Sequence, residues 1–201
     1  MKMLIRTATA SCALLLTLFA PATLADEEVT DNRIFLTVEA MLGGSTLATV
    51  EFEDGDVDRI RAGSGIYLGL GAAHLMFDKH MDVGVRAGYL FDLITAKNDA
   101  GDESVLSFTR WPLDVFSHYW IDRHCLGGGL TMHFDPKFSS RETTDDAKYH
   151  DALGIYGEYL YHFVGTDSAL GVKYLNIDYK DKETGEVTNG SGWGMTFTQS
   201  F

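Results

Sequence analysis

Three histidines, one serine and a group of carboxylates are the residues of this chain that could do chemistry. Ser117 and His118 are adjacent, Asp114 precedes them on the same stretch, and Glu158 supplies a second acid. A serine nucleophile, a histidine base and a carboxylate would suit acyl hydrolysis or acyl transfer on a lipid. His118, His133 and His162, with Asp114, Asp135 and Glu158, are also the donor types of a metal centre. No Cys-x-x-Cys or His-x-x-x-His spacing concentrates them, so no metal site is expected. The run Glu51, Glu53, Asp54, Asp56, Asp58 places oxygen ligands at alternate positions, as a calcium loop does. It lacks the twelve-residue pattern and the closing bidentate Glu, and a solvated charged loop is the plainer reading. Whether any of these groups can meet is decided by the elements that carry them.

The first 25 residues, MKMLIRTATASCALLLTLFAPATLA, read as a secretory signal peptide. Lys2 and Arg6 form its basic start, Ala8 to Phe19 its apolar run, and Pro21, Thr23 and Ala25 the approach to a cut before Asp26. The run is shorter than the ~20 residues a membrane helix needs, and Cys12 stands too early for a lipoprotein signal. The expected division is residues 1–25 as leader and 26–201 as one domain. Losing Lys2 and Arg6 takes the 16 basic residues to 14 against 29 acids, a net charge of -15. Such a balance excludes a phosphate-backbone partner, so no nucleic acid is expected. Cys125 is the one cysteine left, so no internal disulfide can form, and a small core filler is its expected role.

Period-2 alternation dominates residues 26–201. In DVGVRAGYLFDL, Val83, Val85, Ala87, Tyr89, Phe91 and Leu93 share one parity, and Asp82, Gly84, Arg86, Gly88, Leu90 and Asp92 the other. The split recurs in Ile34–Leu42, Ile66–Ala73, Arg110–Ile121, Leu126–Asp135, Leu153–Phe163 and Gly192–Phe201. A further strand is irregular: Leu170, Val172 and Tyr174 lie on one parity but Leu175, Ile177 and Tyr179 on the other, so a β-bulge near Tyr174 is expected there. Eight strands of roughly ten residues fit an eight-stranded antiparallel transmembrane β-barrel. Short connections are expected near Asp78–His80, Asp122–His124 and Gly165–Ser168, alternating with long acidic loops. Short turns on one side and long loops on the other are the asymmetry of outer-membrane barrels, with both termini periplasmic. A soluble barrel would turn its apolar face inward. Here the opposite face carries Glu39, Arg86, Asp92, Arg110, Asp114, His118, His133, Asp135, Glu158, His162 and Lys173, which no soluble core would bury together.

This placement separates the would-be catalytic pair. Neighbours on one strand point to opposite faces, so Ser117 faces lipid and His118 the lumen, and no enzyme is expected. An eight-stranded lumen is just wide enough to be filled by side chains. The inward charges are therefore expected to form a paired plug, in which Arg86, Arg110 and Lys173 offset the carboxylates. A narrow pore or small-solute-binding barrel is the alternative, and a lipid A-modifying enzyme a more distant one. Gly84, on the lumen side, is expected to tolerate Ser far better than Val85 or Leu130 tolerates Arg.

The chain ends on Phe201, with Phe197 and Trp193 on the same lipid-facing parity. That ending is similar to the terminal signal read by the barrel assembly machinery. The pieces RWPLD (Arg110–Asp114), LGGGLTMHFDPKF (Leu126–Phe138), EYLYHF, LGVKYLNIDY and the terminal Phe201 together resemble small Gram-negative outer-membrane β-barrel proteins, related in architecture to the OmpA transmembrane domain. The resemblance implies an outer-membrane barrel and brings no catalytic motif. The expected protein is a monomer without cofactor, structural or surface-interactive in role, whose partners are outer-membrane lipid, lipopolysaccharide and the assembly machinery.

Overall fold

Side chains alternate between two environments on every long strand, and the strands close on themselves. The structure is a computed structural model that describes residues 32–51, 57–77, 80–97, 103–140 and 146–201. The leader 1–25, the acids Glu53, Asp54 and Asp56, and Asp78 of the first short turn lie outside these residues. The elements are β1 (Asn32–Gly43), β2 (Thr46–Glu51), β3 (Val57–Arg61), β4 (Gly65–Met76), β5 (Met81–Lys97), β6 (Glu103–Ile121), β7 (His124–Ser140), β8 (Ala147–Lys148), β9 (Ala152–His162), β10 (Ser168–Asn176), β11 (Asp178–Lys180), β12 (Val187–Asn189) and β13 (Gly192–Ser200). Eight of them, β1, β4, β5, β6, β7, β9, β10 and β13, form the barrel, each antiparallel to both neighbours. The last strand pairs with the first in the register Val38↔Phe197, which removes the open edge a sheet would otherwise expose.

One end, the rim, carries the hairpins β2–β3 and β11–β12 and the short β8. The other end holds the chain terminus and tight turns. Asp122 and Arg123 alone join β6 to β7, and Asp122 takes φ 53°, a left-handed conformation that Asp tolerates better than most residues.

The outward face is apolar and exposed: Leu70, Val85, Val115, Leu130, Ile155 and Met195 form its middle. Aromatic pairs border it on the rim side, with Tyr89–Trp111 rings 4.6 Å apart and Tyr174–Trp193 rings 4.8 Å apart. Tyr119, Phe163 and Phe201 border it at the terminal end.

Two placements differ from the alternation read in the sequence. No bulge occurs at Tyr174: β10 keeps an unbroken register with β9 and β13, and Leu175, Ile177 and Tyr179 point inward. They belong to an apolar cap that fills the rim half of the lumen with Ile60, Ile94, Phe108 and Tyr149. Edge-to-face contacts of 5.4 Å and 5.7 Å set Phe108 against Tyr179 and Tyr149. A bulge lies instead in β7, where Asp135 and Pro136 together oppose Arg110, between the pairs Trp111↔Phe134 and Thr109↔Lys137. Proline cannot donate to a ladder, so a bulge is one of the few places a central strand accepts it.

Gly84 is the third correction. A Cβ there would lie 2.5 Å from Phe116 Cζ and closer still to the Ala72 carbonyl, so the lumen wall is filled at this point. Gly127 has the same task beside His118, since a Cβ there would overlap the His118 ring.

Candidate functional site

The lumen residues on β1, β5, β6, β9 and β10 converge because each occupies an inward position at similar height. Arg86 of β5 is the hub. Its Nε and Nη2 donate to Asp114 Oδ2 at 2.9 and 2.7 Å, its Nη1 lies 3.1 Å from Glu39 Oε1, and Glu158 Oε2 stands 3.9 Å away. Lys173 Nζ donates to both Glu39 oxygens, at 3.2 and 3.3 Å, and lies 3.5 Å from Asp114. The faces of Tyr67 and Tyr156 lie against these cations, with Lys173 Nζ 4.2 Å from the Tyr156 ring centre.

Towards the terminal end the layer continues through His118. Its Nδ1 lies 2.9 Å from Asp82 Oδ1 and its Nε2 2.9 Å from Glu158 Oε1. Carboxylates only accept, so a ring bonded on both nitrogens matches the doubly protonated imidazolium. Asp82 also accepts from Arg33 Nη2 at 2.7 Å and Trp120 Nε1 at 2.8 Å. Glu39, Asp82, Asp114 and Glu158 thus face Arg33, Arg86, Lys173 and the His118 imidazolium: four negative groups against four positive ones. Buried charge is tolerated under such pairing and is costly without it.

Glu39, Arg86, Asp114, His118, Glu158 and Lys173 are therefore brought together. His162 is half-buried below them, its ring 5.0 Å from Trp120. Arg110 sits apart in the cap, donating from Nη2 to the Ser64 carbonyl at 2.7 Å and lying 4.3 Å over the Phe108 ring. His133 stands near it, its Nδ1 2.7 Å from the Tyr179 hydroxyl. Asp92 is only half-buried, near the rim. Asp135 leaves the lumen: the bulge turns it out to solvent, its N–H bonds Asp151 Oδ1 at 3.0 Å, and Pro136 takes the inward place. Ser117 shares the outward side with Val115 and Tyr119, and so does not face His118. His118 and His162 border one small cavity while His133 stands apart in the cap, so the three histidines do not meet at one point.

The sequence reading did not include Arg33, Asp82 or Trp120 in the network. The signal was present: Arg33 shares parity with Thr37 and Glu39, and Asp82 and Trp120 with Arg86 and His118. Cys125 is buried beside Trp120, Leu160 and Ala169 as a small filler.

A cavity of about 20 Å³ below the layer is lined by Arg33, Phe116, His118 and His162. Another of about 10 Å³ above it touches Tyr67, Pro112, His133 and Leu175. Each is about the size of one water. Arg86 and Glu158 bound the first, and Glu39, Asp114 and Lys173 the second, so the ion layer lies between them.

No protein-family model matches the chain, and no curated protein does. Among solved structures it is similar to Ail, the attachment invasion locus protein of Yersinia pestis, crystallised with the heparin analogue sucrose octasulfate. Identity is 13%, the match covers 85% of this chain and 97% of that one, and the TM-score is 0.51. At that identity the likeness concerns the fold, and what the two chains share is a closed eight-stranded antiparallel β-barrel.

Proposed function

We propose that this chain is a monomeric integral protein of the outer membrane, a closed barrel that holds its rim hairpins at the cell surface. In this reading residues 1–25 direct export, and Trp193, Phe197 and Phe201 are read by the assembly machinery. Both termini are periplasmic, and the apolar belt meets lipid and lipopolysaccharide. The observation that carries it is the contrast between faces: an exposed apolar belt outside, and inside a layer of mutually paired charges beneath an aromatic cap. Lipid tolerates the first, and the second resists a water path. The acids and bases of the lumen are engaged with one another, and the reading assigns them no catalysis. Attachment, the task in Ail's name, would fall to an exposed rim rather than to a lumen.

The test is conductance of the purified chain in a planar lipid bilayer. A current at the bilayer baseline is expected; stepwise channel openings would overturn the plugged-barrel reading and favour the narrow pore.

A further inference from the structure

We infer that His118 and Glu158 form a proton-operated switch inside the lumen. When the His118 ring loses a proton, the Glu158 carboxylate leaves it and crosses the small cavity below the ion layer to Arg33 Nε. The switch goes beyond the membrane reading above and does not depend on it.

The trigger is a ring that cannot keep both of its bonds. Nδ1 lies 2.9 Å from Asp82 Oδ1 and Nε2 lies 2.9 Å from Glu158 Oε1. An imidazolium donates to both, whereas a neutral imidazole has one N–H and one lone pair. A lone pair held that close to a buried carboxylate oxygen repels it, and the low local dielectric strengthens the repulsion. The ring is not free to turn away. Phe116 stacks on it at 4.6 Å, and it lies close against Gly127, where a Cβ would overlap it. One of the two carboxylates must therefore move.

Asp82 is the fixed one. Arg33 Nη2 at 2.7 Å and Trp120 Nε1 at 2.8 Å hold its Oδ2 whatever the ring does, so the remaining N–H stays on Nδ1. Glu158 is held loosely: its Oε2 makes no hydrogen bond among the described residues, and Arg86 Nη1 stands 3.9 Å from it. The landing point is in place as well. Arg33 Nε is buried, makes no hydrogen bond among the described residues, and shares the wall of the 20 Å³ cavity with Glu158. The move exchanges one charge-assisted bond for another. The guanidinium itself can stay where it is, anchored on Asp82 and 5.4 Å over the Trp120 ring.

Other groups around the ring set the background. Arg33 comes from β1, Asp82 and Arg86 from β5, Cys125 from β7, and Glu158 and His162 from β9. Lys173 of β10 pairs directly with Glu158, and β13 offers the hydroxyls of Thr198 and Ser200. Among these, His162 is the second histidine on the cavity wall, so the experiment must tell its titration from that of His118.

The experiment uses the full mature chain, 15N-labelled and refolded in detergent micelles. NMR follows the His118 ring nitrogens and the Arg33 Nε–H from about pH 5 to about pH 10. As His118 loses its proton, Nδ1 should stay protonated and the Arg33 Nε–H should shift with the same midpoint. Above that midpoint this proton should exchange with water about tenfold more slowly than in Glu158→Gln at the same pH, the protection of a bond to a charged acceptor. Glu158→Gln should hold the Arg33 signal constant across the range, with heat-modifiable mobility unchanged, and His162→Gln should leave the coupled change intact. The wild-type signals decide the matter on their own if Glu158→Gln does not fold. An Arg33 signal that ignores the His118 titration, or a ring that keeps Nε2 protonated and gives up Nδ1, overturns the switch. So does a coupled change that vanishes in His162→Gln, or a ring that holds both protons throughout.

Discussion

Replacing Arg86 by Met keeps the aliphatic stem of the side chain and deletes the guanidinium at the centre of the charged layer. The surviving contacts say which partner suffers. Glu39 keeps Lys173 at 3.2 and 3.3 Å, and Glu158 keeps His118 at 2.9 Å, whereas Asp114 loses two short bonds and retains Lys173 at 3.5 Å as its ion-pair partner. Asp114 is buried, so the change leaves an under-compensated carboxylate inside the barrel. Breaking a buried pair from one side costs about 3–5 kcal/mol, and Arg86→Met should lower unfolding stability by that amount. Arg86→Met/Asp114→Asn removes the orphaned charge together with its former partner. It should recover about 2 kcal/mol of the loss, a coupling within the range of residues in contact. Urea unfolding in phosphatidylcholine vesicles, followed by tryptophan fluorescence and by the heat-modifiable gel band, reads all the variants. An Arg86→Met barrel within about 1 kcal/mol of wild type, or a double variant no better than the single one, would refute the idea that these charges are mutually dependent.

Val85→Arg and Leu130→Arg, on the exposed apolar face, should each cost about 2–4 kcal/mol near the midplane. Gly84→Ser should now cost about 1–3 kcal/mol by overpacking Phe116; a Gly84→Ser midpoint equal to wild type would show that the wall yields. Deleting Phe201, whose N–H bonds the Ile34 carbonyl at 2.9 Å, should lower the outer-membrane amount in fractionated cells while refolding into detergent stays nearly normal; unchanged cellular levels would remove the assembly-signal role. The hairpin β11–β12 should keep its turn in mild acid. Backbone N–H bonds from Thr184 and then Glu183 hold the Asp181 carboxyl below the ordinary carboxylate range, against a smaller upward push from burial. A depressed value means the stabilisation is present above the unfolded-state pKa of about 3.9 and is lost as pH falls through the folded one. Amide protection of Glu183 and Thr184 that disappears already at pH 5–6 would contradict it.

Strand number, facing and the inward charges were legible because one simple rule, alternation, governs almost every strand. The same rule misled where two physical situations give one pattern. Leu175, Ile177 and Tyr179 broke the expected outward-apolar parity, and a register flip was the economical explanation. The lumen instead becomes apolar towards the rim, which local sequence cannot announce because it depends on Phe108 and Tyr149 arriving from other strands. Conversely, Asp135-Pro136 did carry a local sign of a bulge, a proline inside a strand pattern, beneath an alternation that looked regular as far as Asp135. Arg110 was assigned carboxylate partners by charge alone, and its contacts to the Ser64 carbonyl and Phe108 ring could be known only from the packing. The layer residues Arg33 and Asp82 were within reach: Arg33 stands one residue before the stretch Ile34–Leu42, and Asp82 opens the run DVGVRAGYLFDL on the lumen parity.

The extra residue in β7 is taken up wholly at the bulge. Beyond it, Lys137 looks out beside Lys148 while Phe138 looks in towards the cap. Remove that one residue and the ladder runs on unbroken: Pro136 stands alone opposite Arg110, and Lys137 and Phe138 keep their sides and their partners. What the strand loses is the Asp135–Asp151 bond and the bulge that lets a proline sit inside a central strand. A single-codon deletion at this point therefore leaves both sets of neighbours in place, and length is what this stretch of the gene can spare.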